Sequence, residues 1–183
     1  MSASGERITG GRQVTGRLVL TAVVMCLSLG CHQAMTPVLA DFKSDGCSMF
    51  PDGSYYSCCY LHDVAYWAGG TEEAREIADK SLRACVLEIT HNEALADTMY
   101  RGVRAGGGPG LPTHYRWGYG WPFSYRKDYS PLTPDEQSQV AVKTQALCST
   151  IRPNPSTGGF VVSMSDVDRE IRAGQARQIC PGL

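Results

Sequence analysis

The stretch that decides the fold is Cys58-Cys59-Tyr60-Leu61-His62-Asp63-Val64-Ala65-Tyr66. It predicts a helix from Cys58 to Trp67, because Gly69-Gly70 follows and ends it. Thr71 then caps a second helix, whose first turn carries Glu72 and Glu73. The turn between the helices is short, so we expect them to form an antiparallel pair.

The second helix carries its apolar residues at helical spacing. They predict a single buried face formed by Ala74, Ile77, Ala78, Leu82, Cys85, Val86 and Ile89. Asp79 lies at the edge of this face and is predicted to point toward the partner helix.

The spacings on the two helices bring a histidine and an aspartate together. His62 lies roughly 6 Å along its axis from Cys58, and Asp79 lies roughly 9 Å from Cys85. If Cys58 bonds Cys85, Asp79 comes opposite His62. Its carboxylate would then fix the tautomer of the imidazole and leave the other ring nitrogen to act as a base. Tyr66, one turn beyond His62, is placed to hydrogen-bond Asp79.

A second group of oxygen ligands is predicted beside this pair. Cys59 lies one turn before Asp63, and if it bonds Cys47, the loop residues Asp45 and Gly46 lie beside the Asp63 carboxylate. Carboxylates and loop carbonyls make an all-oxygen site, which suits Ca²⁺. A base next to such a cation is typical of a hydrolytic site that activates water.

The N-terminus predicts export. Arg7, Arg12 and Arg17 precede an uncharged apolar run over 18–30, which is too short for a transmembrane helix. Two processing routes are open: cleavage after Val38-Leu39-Ala40, or lipidation of Cys31 after Leu29-Gly30. An uncleaved signal anchor is the alternative.

Export decides how the cysteines are interpreted. Of the eight cysteines, Cys26 and Cys31 belong to the signal region. The six that remain are predicted to form disulfides in an oxidising compartment, and they can pair in many ways. The formal net charge of −1 provides no basic field for nucleic acid.

The rest of the chain predicts a mainly α fold with long loops. We expect a signal over 1–40, a core over 41–130 and a C-terminal helical extension over 131–183. A third helix is predicted over 92–104, and Thr133-Pro134-Asp135-Glu136 opens a fourth. A linker over 153–159 would precede a last helix from Ser165-Asp166 to near Cys180.

An aromatic segment, defined as residues 115–125, has an aromatic ring at every second position. In an extended chain all six rings would face one side. Two interpretations are open. The rings cover the helix pair as core, or they form a lipid-facing wall near the basic residues Arg104, Arg116, Arg126 and Lys127.

The central residues resemble the secreted phospholipases A2. That family has the helix motif CCxxHDxxY, which Cys58 to Tyr66 match, and an Asp six residues before a Cys, as Asp79 and Cys85 are. The upstream loop is most similar to the bacterial and fungal branch, with Asp45-Gly46-Cys47 and Pro51-Asp52. The resemblance lies within residues 45–85, and nothing after Tyr100 resembles a family segment.

The resemblance implies roles for these residues. His62 would be the general base, Asp79 its orienting partner, and Asp63 a calcium ligand together with the Asp45 side chain and the Gly46 carbonyl. It implies the disulfides Cys47–Cys59 and Cys58–Cys85, and Cys148–Cys180 is then the pair left over. The implied function is Ca²⁺-dependent hydrolysis of a phospholipid acyl ester at a membrane surface, outside the cytoplasm. Two alternatives are a silent module that binds calcium or lipid, and a structural protein of the envelope.

Overall fold

The computed structural model describes residues 36–164 and 167–183, except for the side chains of residues 163–168. These residues form five helices and one antiparallel sheet with the strand order β1-β2-β3. The helices are α1 (Tyr56–Ala68), α2 (Glu72–Thr90), α3 (Glu93–Gly106), α4 (Pro134–Thr150) and α5 (Ala173–Ile179). The strands are β1 (Arg152–Pro153), β2 (Phe160–Met164) and β3 (Val167–Ile171). The prediction of a mainly α fold is confirmed.

The helix pair forms where the sequence predicts it. Gly69 and Gly70 separate α1 from α2, and both have positive φ angles, 73° and 141°. The Thr71 side chain accepts a hydrogen bond from the Ala74 amide and caps α2. The Cys58–Cys85 disulfide joins the start of α1 to the later part of α2. The helices therefore lie side by side and run in opposite directions.

Two further helix starts follow their sequence signals. The Asn92 side chain accepts from the Leu95 amide at the start of α3. Thr133 and Glu136 form the predicted capping box at α4, with Pro134 at the first helical position.

The buried face of α2 differs from the predicted one. Its fully buried residues are Arg75, Asp79, Leu82 and Val86, whereas Ile77 is 66% exposed and Ala74 is exposed. Arg75 and Asp79 can be buried because each has several hydrogen-bond partners, described below. Periodicity of apolar residues alone could not reveal a face built on a paired Arg and Asp.

The C-terminal region also differs from the prediction. Residues 154–159 of the expected linker are indeed irregular. The first part of the expected long helix is replaced by the strand β3, which pairs with β2 in a hairpin, Val161 with Glu170 and Val162 with Arg169. Val162 and Ile171 bury their side chains against Tyr60 of α1, and this packing favours strands. The last helix begins only at Ala173. The predicted start at Ser165-Asp166 lies outside the described residues.

The core consists of three clusters, and α1 contributes to each. One cluster surrounds the disulfides, with Cys58 and Cys59 of α1. The second places Tyr60 against the hairpin and α5, and the third packs Trp67 against Leu39 and Trp121. Helix α1 is therefore held from three sides, which fixes the position of its polar residues.

The aromatic segment is a series of turns and not an extended strand, so its six rings do not share one side. Trp117 and Trp121 are 3% and 2% exposed, and their indole nitrogens donate to the backbone carbonyls of Gly70 and Ala68. Phe123 and Tyr125, in contrast, are each 40% exposed. The two tryptophans are core residues that cover the end of α1.

Residues 36–40 belong to the compact unit formed by Thr36–Leu183. Leu39 is fully buried, and its amide donates to Gln139 Oε1 at 2.8 Å. The Ala40 amide donates to the Gly120 carbonyl, and the Ala40 carbonyl accepts from Trp67. Residues 1–35 of the predicted export signal, with Cys31, lie outside the described residues. Within the described part of the chain, no helix is both long and apolar enough to cross a membrane.

Candidate active site

His62 and Asp79 form a buried pair between α1 and α2. Nε2 of His62 lies 2.8 Å from Oδ1 of Asp79. The exposed fraction is 8% for His62 and zero for Asp79. The two rings of His62 and Tyr66 lie with their centroids 4.1 Å apart. The structure thus brings together the three residues that the sequence selected as catalytic candidates.

The charges around Asp79 define the tautomer of His62. Burial alone would raise the pKa of Asp79, but hydrogen bonds from His62, Arg104 and Tyr66 hold it below its ordinary value. An ionised carboxylate only accepts hydrogen bonds, so Nε2 of His62 carries the proton and Nδ1 carries the lone pair. Burial also lowers the pKa of His62, although Asp79 opposes this shift. A neutral imidazole with an unprotonated Nδ1 follows.

Besides His62, two hydrogen-bond donors and one further cation hold the Asp79 carboxylate. The Tyr66 hydroxyl donates to Oδ1 at 2.8 Å, as predicted. Arg104 donates from Nη1 to Oδ2 at 2.8 Å, and Nε of Arg75 lies 3.7 Å from the same oxygen. Both carboxylate oxygens therefore have partners, and the orientation of the group is fixed.

Arg75 is the centre of a hydrogen-bond network that sequence reasoning missed. Its Nε donates to the Tyr66 hydroxyl at 2.9 Å, and Nη2 donates to the carbonyls of Val103 and Arg104. Nη1 donates to the Tyr129 hydroxyl. Arg75 lies one turn before Asp79, and this spacing of opposite charges on one helix was the signal available in the sequence. The network ties α3 to the His62–Asp79 pair.

Asp63 is a second buried carboxylate, next to His62 on α1. Burial raises the pKa of Asp63 well above its ordinary value, and the charges of Asp45 and Asp52 add to the rise. A hydrogen bond from Ser44 Oγ to Oδ2, at 2.5 Å, acts in the opposite direction. A buried carboxylate that faces two further acidic groups is a place where a cation would relieve repulsion.

The loop before α1 surrounds this carboxylate, and the Cys47–Cys59 disulfide fastens it to α1. Gly46 is buried with φ 79°, and an added Cβ there would lie 2.4 Å from Asp52 Oδ1. Asp45 is exposed and accepts from Ser48 Oγ at 2.7 Å. Nε2 of the exposed His114 lies 3.3 Å from Oδ2 of Asp45.

The donor set fits a hard cation. Among the described residues, no group of three or more His, Cys, Asp or Glu side chains is arranged around one metal position. A site made of Asp63, Asp45 and the Gly46 carbonyl would contain only two such side chains. All its donors are oxygens, which are the ligands of Ca²⁺.

A cavity of about 400 Å³ opens beside these groups. His62, Asp63 and Tyr66 lie on one wall, and the loop residues 46–50 lie on another. The remaining lining is apolar and includes Leu82, Met99, Val103 and Tyr115. Its volume is within the range of small-molecule sites, roughly 300–1,000 Å³.

Comparisons with family models, curated proteins and solved structures found no match for this chain.

Three of the four basic residues considered for lipid contact have other partners. Arg104 binds Asp79. Arg116 is 2% exposed and donates to the carbonyls of Trp117, Trp121 and Arg126. Arg126 is 6% exposed and lies 3.3 Å from Glu136. Of the four, only Lys127 is exposed.

The structure adds another residue at the site, Tyr119 of the aromatic segment. Its hydroxyl donates to the Lys43 carbonyl at 2.7 Å and lies 3.3 Å from the Asp63 carbonyl. It therefore joins the start of the loop to α1. Only the three-dimensional fold reveals this contact, because 56 residues separate Tyr119 from Asp63.

Proposed function

We propose that this chain is a calcium-dependent hydrolase of the phospholipase A2 type, which cleaves an acyl ester of glycerophospholipids. The observation that carries the proposal is the 2.8 Å contact between His62 Nε2 and Asp79 Oδ1, at the wall of an apolar cavity. The match of Cys58 to Tyr66 to CCxxHDxxY supports it independently.

His62 acts as the general base. Nδ1 accepts a proton from water, and the water oxygen attacks the ester carbonyl carbon. The imidazolium is stabilised by Asp79 and returns the proton to the leaving alkoxide of the lysophospholipid. The neutral state of the buried imidazole favours this role, because the base is unprotonated before the reaction.

Asp79 and Tyr66 are positioning residues in this mechanism. Asp79 accepts from Nε2 and keeps the lone pair on Nδ1. Tyr66 holds the same carboxylate oxygen at 2.8 Å, and Trp117 packs edge-on against the Tyr66 ring. These contacts fix the orientation of the Asp79 carboxylate and, through it, that of the His62 ring.

Asp63, the Asp45 side chain and the Gly46 carbonyl would hold Ca²⁺. Calcium supplies an electrophile for the ester oxyanion and the lipid phosphate. Asp45 must exchange its contacts with Ser48 and His114 for the cation, and its exposure permits that movement.

The cavity and the proposed cation site support a phospholipid as the substrate. The apolar lining suits an acyl chain, and the adjacent oxygen site suits a phosphate neutralised by calcium. The physiological partner is accordingly a phospholipid surface.

Three disulfides are typical of an oxidising compartment, so we infer that the protein lies outside the cytoplasm, secreted or periplasmic, with Cys31 as a candidate lipid anchor.

The test is the release of products from mixed phospholipid vesicles by the oxidised protein. The assay compares Ca²⁺ at about 5 mM, above the weakest extracellular-module Kd values of roughly 1 mM, with EGTA. It compares wild type with His62→Gln. His91→Asn is the matched control, since His91 lies outside the cavity and Asn tolerates its left-handed φ of 51°.

Free fatty acid together with lysophospholipid identifies cleavage of the acyl ester. Calcium-dependent release that His62→Gln removes and His91→Asn keeps supports the proposal. Calcium or vesicle binding by a folded protein without release identifies a silent binding module. A folded protein that binds neither is a structural protein, and both of these outcomes contradict the enzyme proposal.

A further inference from the structure

The loop of the candidate calcium site encloses a carboxylate, that of Asp52. Its Oδ1 accepts from the Cys47 amide at 3.0 Å. The same oxygen lies so close to Gly46 that an added Cβ would be 2.4 Å away. The position of Asp52 therefore sets the path of the backbone at Gly46 and Cys47, which includes the carbonyl proposed to bind calcium.

The other oxygen of Asp52 contacts the C-terminal hairpin. Oδ2 lies 3.1 Å from Nη2 of Arg169 on β3. The Arg169 guanidinium also lies over the Tyr56 ring at the start of α1, 5.2 Å from its centroid. One side chain from the C-terminal region thus contacts both the loop and the first turn of α1.

The hairpin is firmly attached at this point. Ile171, two residues after Arg169, is 1% exposed, and Val162 is directly opposite Arg169 in the sheet register. Both pack in the cluster with Tyr60. The Cys148–Cys180 disulfide then ties the following helix α5 to α4. The strand that carries Arg169 is therefore anchored on both sides of this residue's position, and the Arg169 side chain itself is 34% exposed.

We propose that the β2–β3 hairpin positions the calcium loop through Arg169 and Asp52, and so increases the affinity of the site for Ca²⁺. This inference rests on the proposed function, since it concerns the same cation. It gives the C-terminal extension, which resembles no phospholipase segment, a role in the site.

Two possible roles of Arg169, as a nearby charge and as a residue that positions the loop, predict opposite effects of Arg169→Gln on calcium affinity. A guanidinium close to a cation site repels the cation, so charge alone predicts tighter calcium binding after Arg169→Gln. If Arg169 holds Asp52 in place, the same variant binds calcium more weakly because the loop must be ordered on binding.

Calcium titration by calorimetry of the oxidised full-length protein tests this difference. We expect Arg169→Gln to raise the calcium Kd about two- to fivefold, the size expected for an ion pair that is about one-third exposed. Arg169→Lys should recover part of the affinity. Arg177→Gln, a change at an exposed arginine of α5, should leave the Kd unchanged.

A double variant further separates the effect of the Arg169 charge from the positioning of Asp52 by Arg169. In the Asp52→Asn background, Arg169 has no carboxylate to hold, so Arg169→Gln should not raise the Kd. An equal rise in both backgrounds, or a lower Kd in the otherwise wild-type protein, overturns the proposal.

Hydrogen exchange of the calcium-free protein provides a readout that does not depend on the metal. Arg169→Gln should accelerate exchange of the Cys47 amide and leave the Trp117 amide, which donates to the Gly107 carbonyl, unchanged. Unchanged exchange at Cys47 overturns the positioning role. Absence of calcium binding in wild type, with accelerated Cys47 exchange in the variant, contradicts the proposed function but supports the positioning of the loop.

Discussion

The guanidinium of Arg104 lies 2.8 Å from Oδ2 of Asp79, the carboxylate oxygen that His62 does not contact. Arg104 comes from α3, so the orientation of the pair between α1 and α2 depends on a third helix. This contact makes Arg104 a candidate positioning residue for the proposed base, His62.

Arg104→Gln should lower kcat about tenfold, because a hydrogen bond to a charged group contributes roughly 1.5–3 kcal/mol. The calcium Kd should not change, since Arg104 contacts Asp79 and not the loop. Arg104→Lys should restore part of kcat. The control is Arg101→Gln, one turn earlier, whose side chain is 79% exposed. An equal loss in the control variant would contradict the prediction.

Removal of the Tyr66 hydroxyl should weaken the fold as well as the site. Tyr66→Phe leaves Nε of the buried Arg75 without its acceptor and takes one donor from Asp79. We expect a loss of about 1–3 kcal/mol in the free energy of unfolding, measured by urea denaturation. Tyr100→Phe is the control, because its hydroxyl makes no hydrogen bond with a described residue. Equal stability of the two variants would refute the argument.

Asp63 should make the calcium-free protein less stable as the pH rises. Its folded pKa is raised by burial, so its stabilising contribution is complete below the unfolded pKa and is lost as the pH rises through the folded pKa. Asp63→Asn should therefore stabilise the calcium-free protein at pH 7 and reduce this pH dependence.

Bound calcium should reverse the destabilisation that the ionised Asp63 causes in the wild-type protein. At 100 times Kd it adds about 2.7 kcal/mol of stability, and Asp63→Asn should remove that gain. Thermal denaturation with Ca²⁺ and with EGTA measures both quantities. A variant that is still stabilised by calcium would exclude Asp63 as a ligand.

Residues 36–40 should contribute to folding stability. A chain that begins at Asp41 loses the fully buried Leu39 and the backbone hydrogen bonds of Ala40. Compared with a chain that begins at Thr36, we expect a loss of about 2–5 kcal/mol, the range for removal of a buried Leu side chain. In the longer chain, Val38→Ala should change little, since Val38 is 77% exposed. Equal urea midpoints for the two chains would contradict this expectation.

Substitutions in the aromatic segment test which of its rings belong to the core and which lie on the surface. Trp121→Ala should cost about 3–5 kcal/mol, because the ring is 2% exposed and packs with Leu39 and Trp67. Phe123→Ala should change stability little, since its ring is 40% exposed. Vesicle affinity per folded molecule should be unchanged by Trp121→Ala. A lower affinity would restore the lipid-facing interpretation of Trp121.

The sequence predicted the parts of the site that depend on local spacing. The helix around His62, the caps at Thr71 and Thr133 and the contact of Asp79 with His62 follow from helical periodicity and from known cap chemistry. The three disulfides are those expected. These features depend on residues that are close together in the sequence or belong to a specific motif. A single sequence was therefore enough to predict them.

The features that were missed depend on tertiary contacts. The burial of Arg75 requires acceptors from α3 and from Tyr129, which no local pattern reveals. The hairpin forms because the side chains of Val162 and Ile171 pack against the apolar ring of Tyr60. The turns of the aromatic segment follow from its backbone contacts with α1, such as the Gly118 amide to the Tyr66 carbonyl.

Cys58 and Cys59 are adjacent, yet their disulfides reach different parts of the molecule, α2 and the loop before α1. Reduction of both bonds would therefore remove the cross-links that hold the helix of Asp79 and the Asp45–Gly46 loop to the same turn of α1. The proposed base and the proposed cation site would lose their covalent frame together. We therefore expect the proposed activity to require the oxidised chain, because both disulfides hold parts of the proposed site against α1.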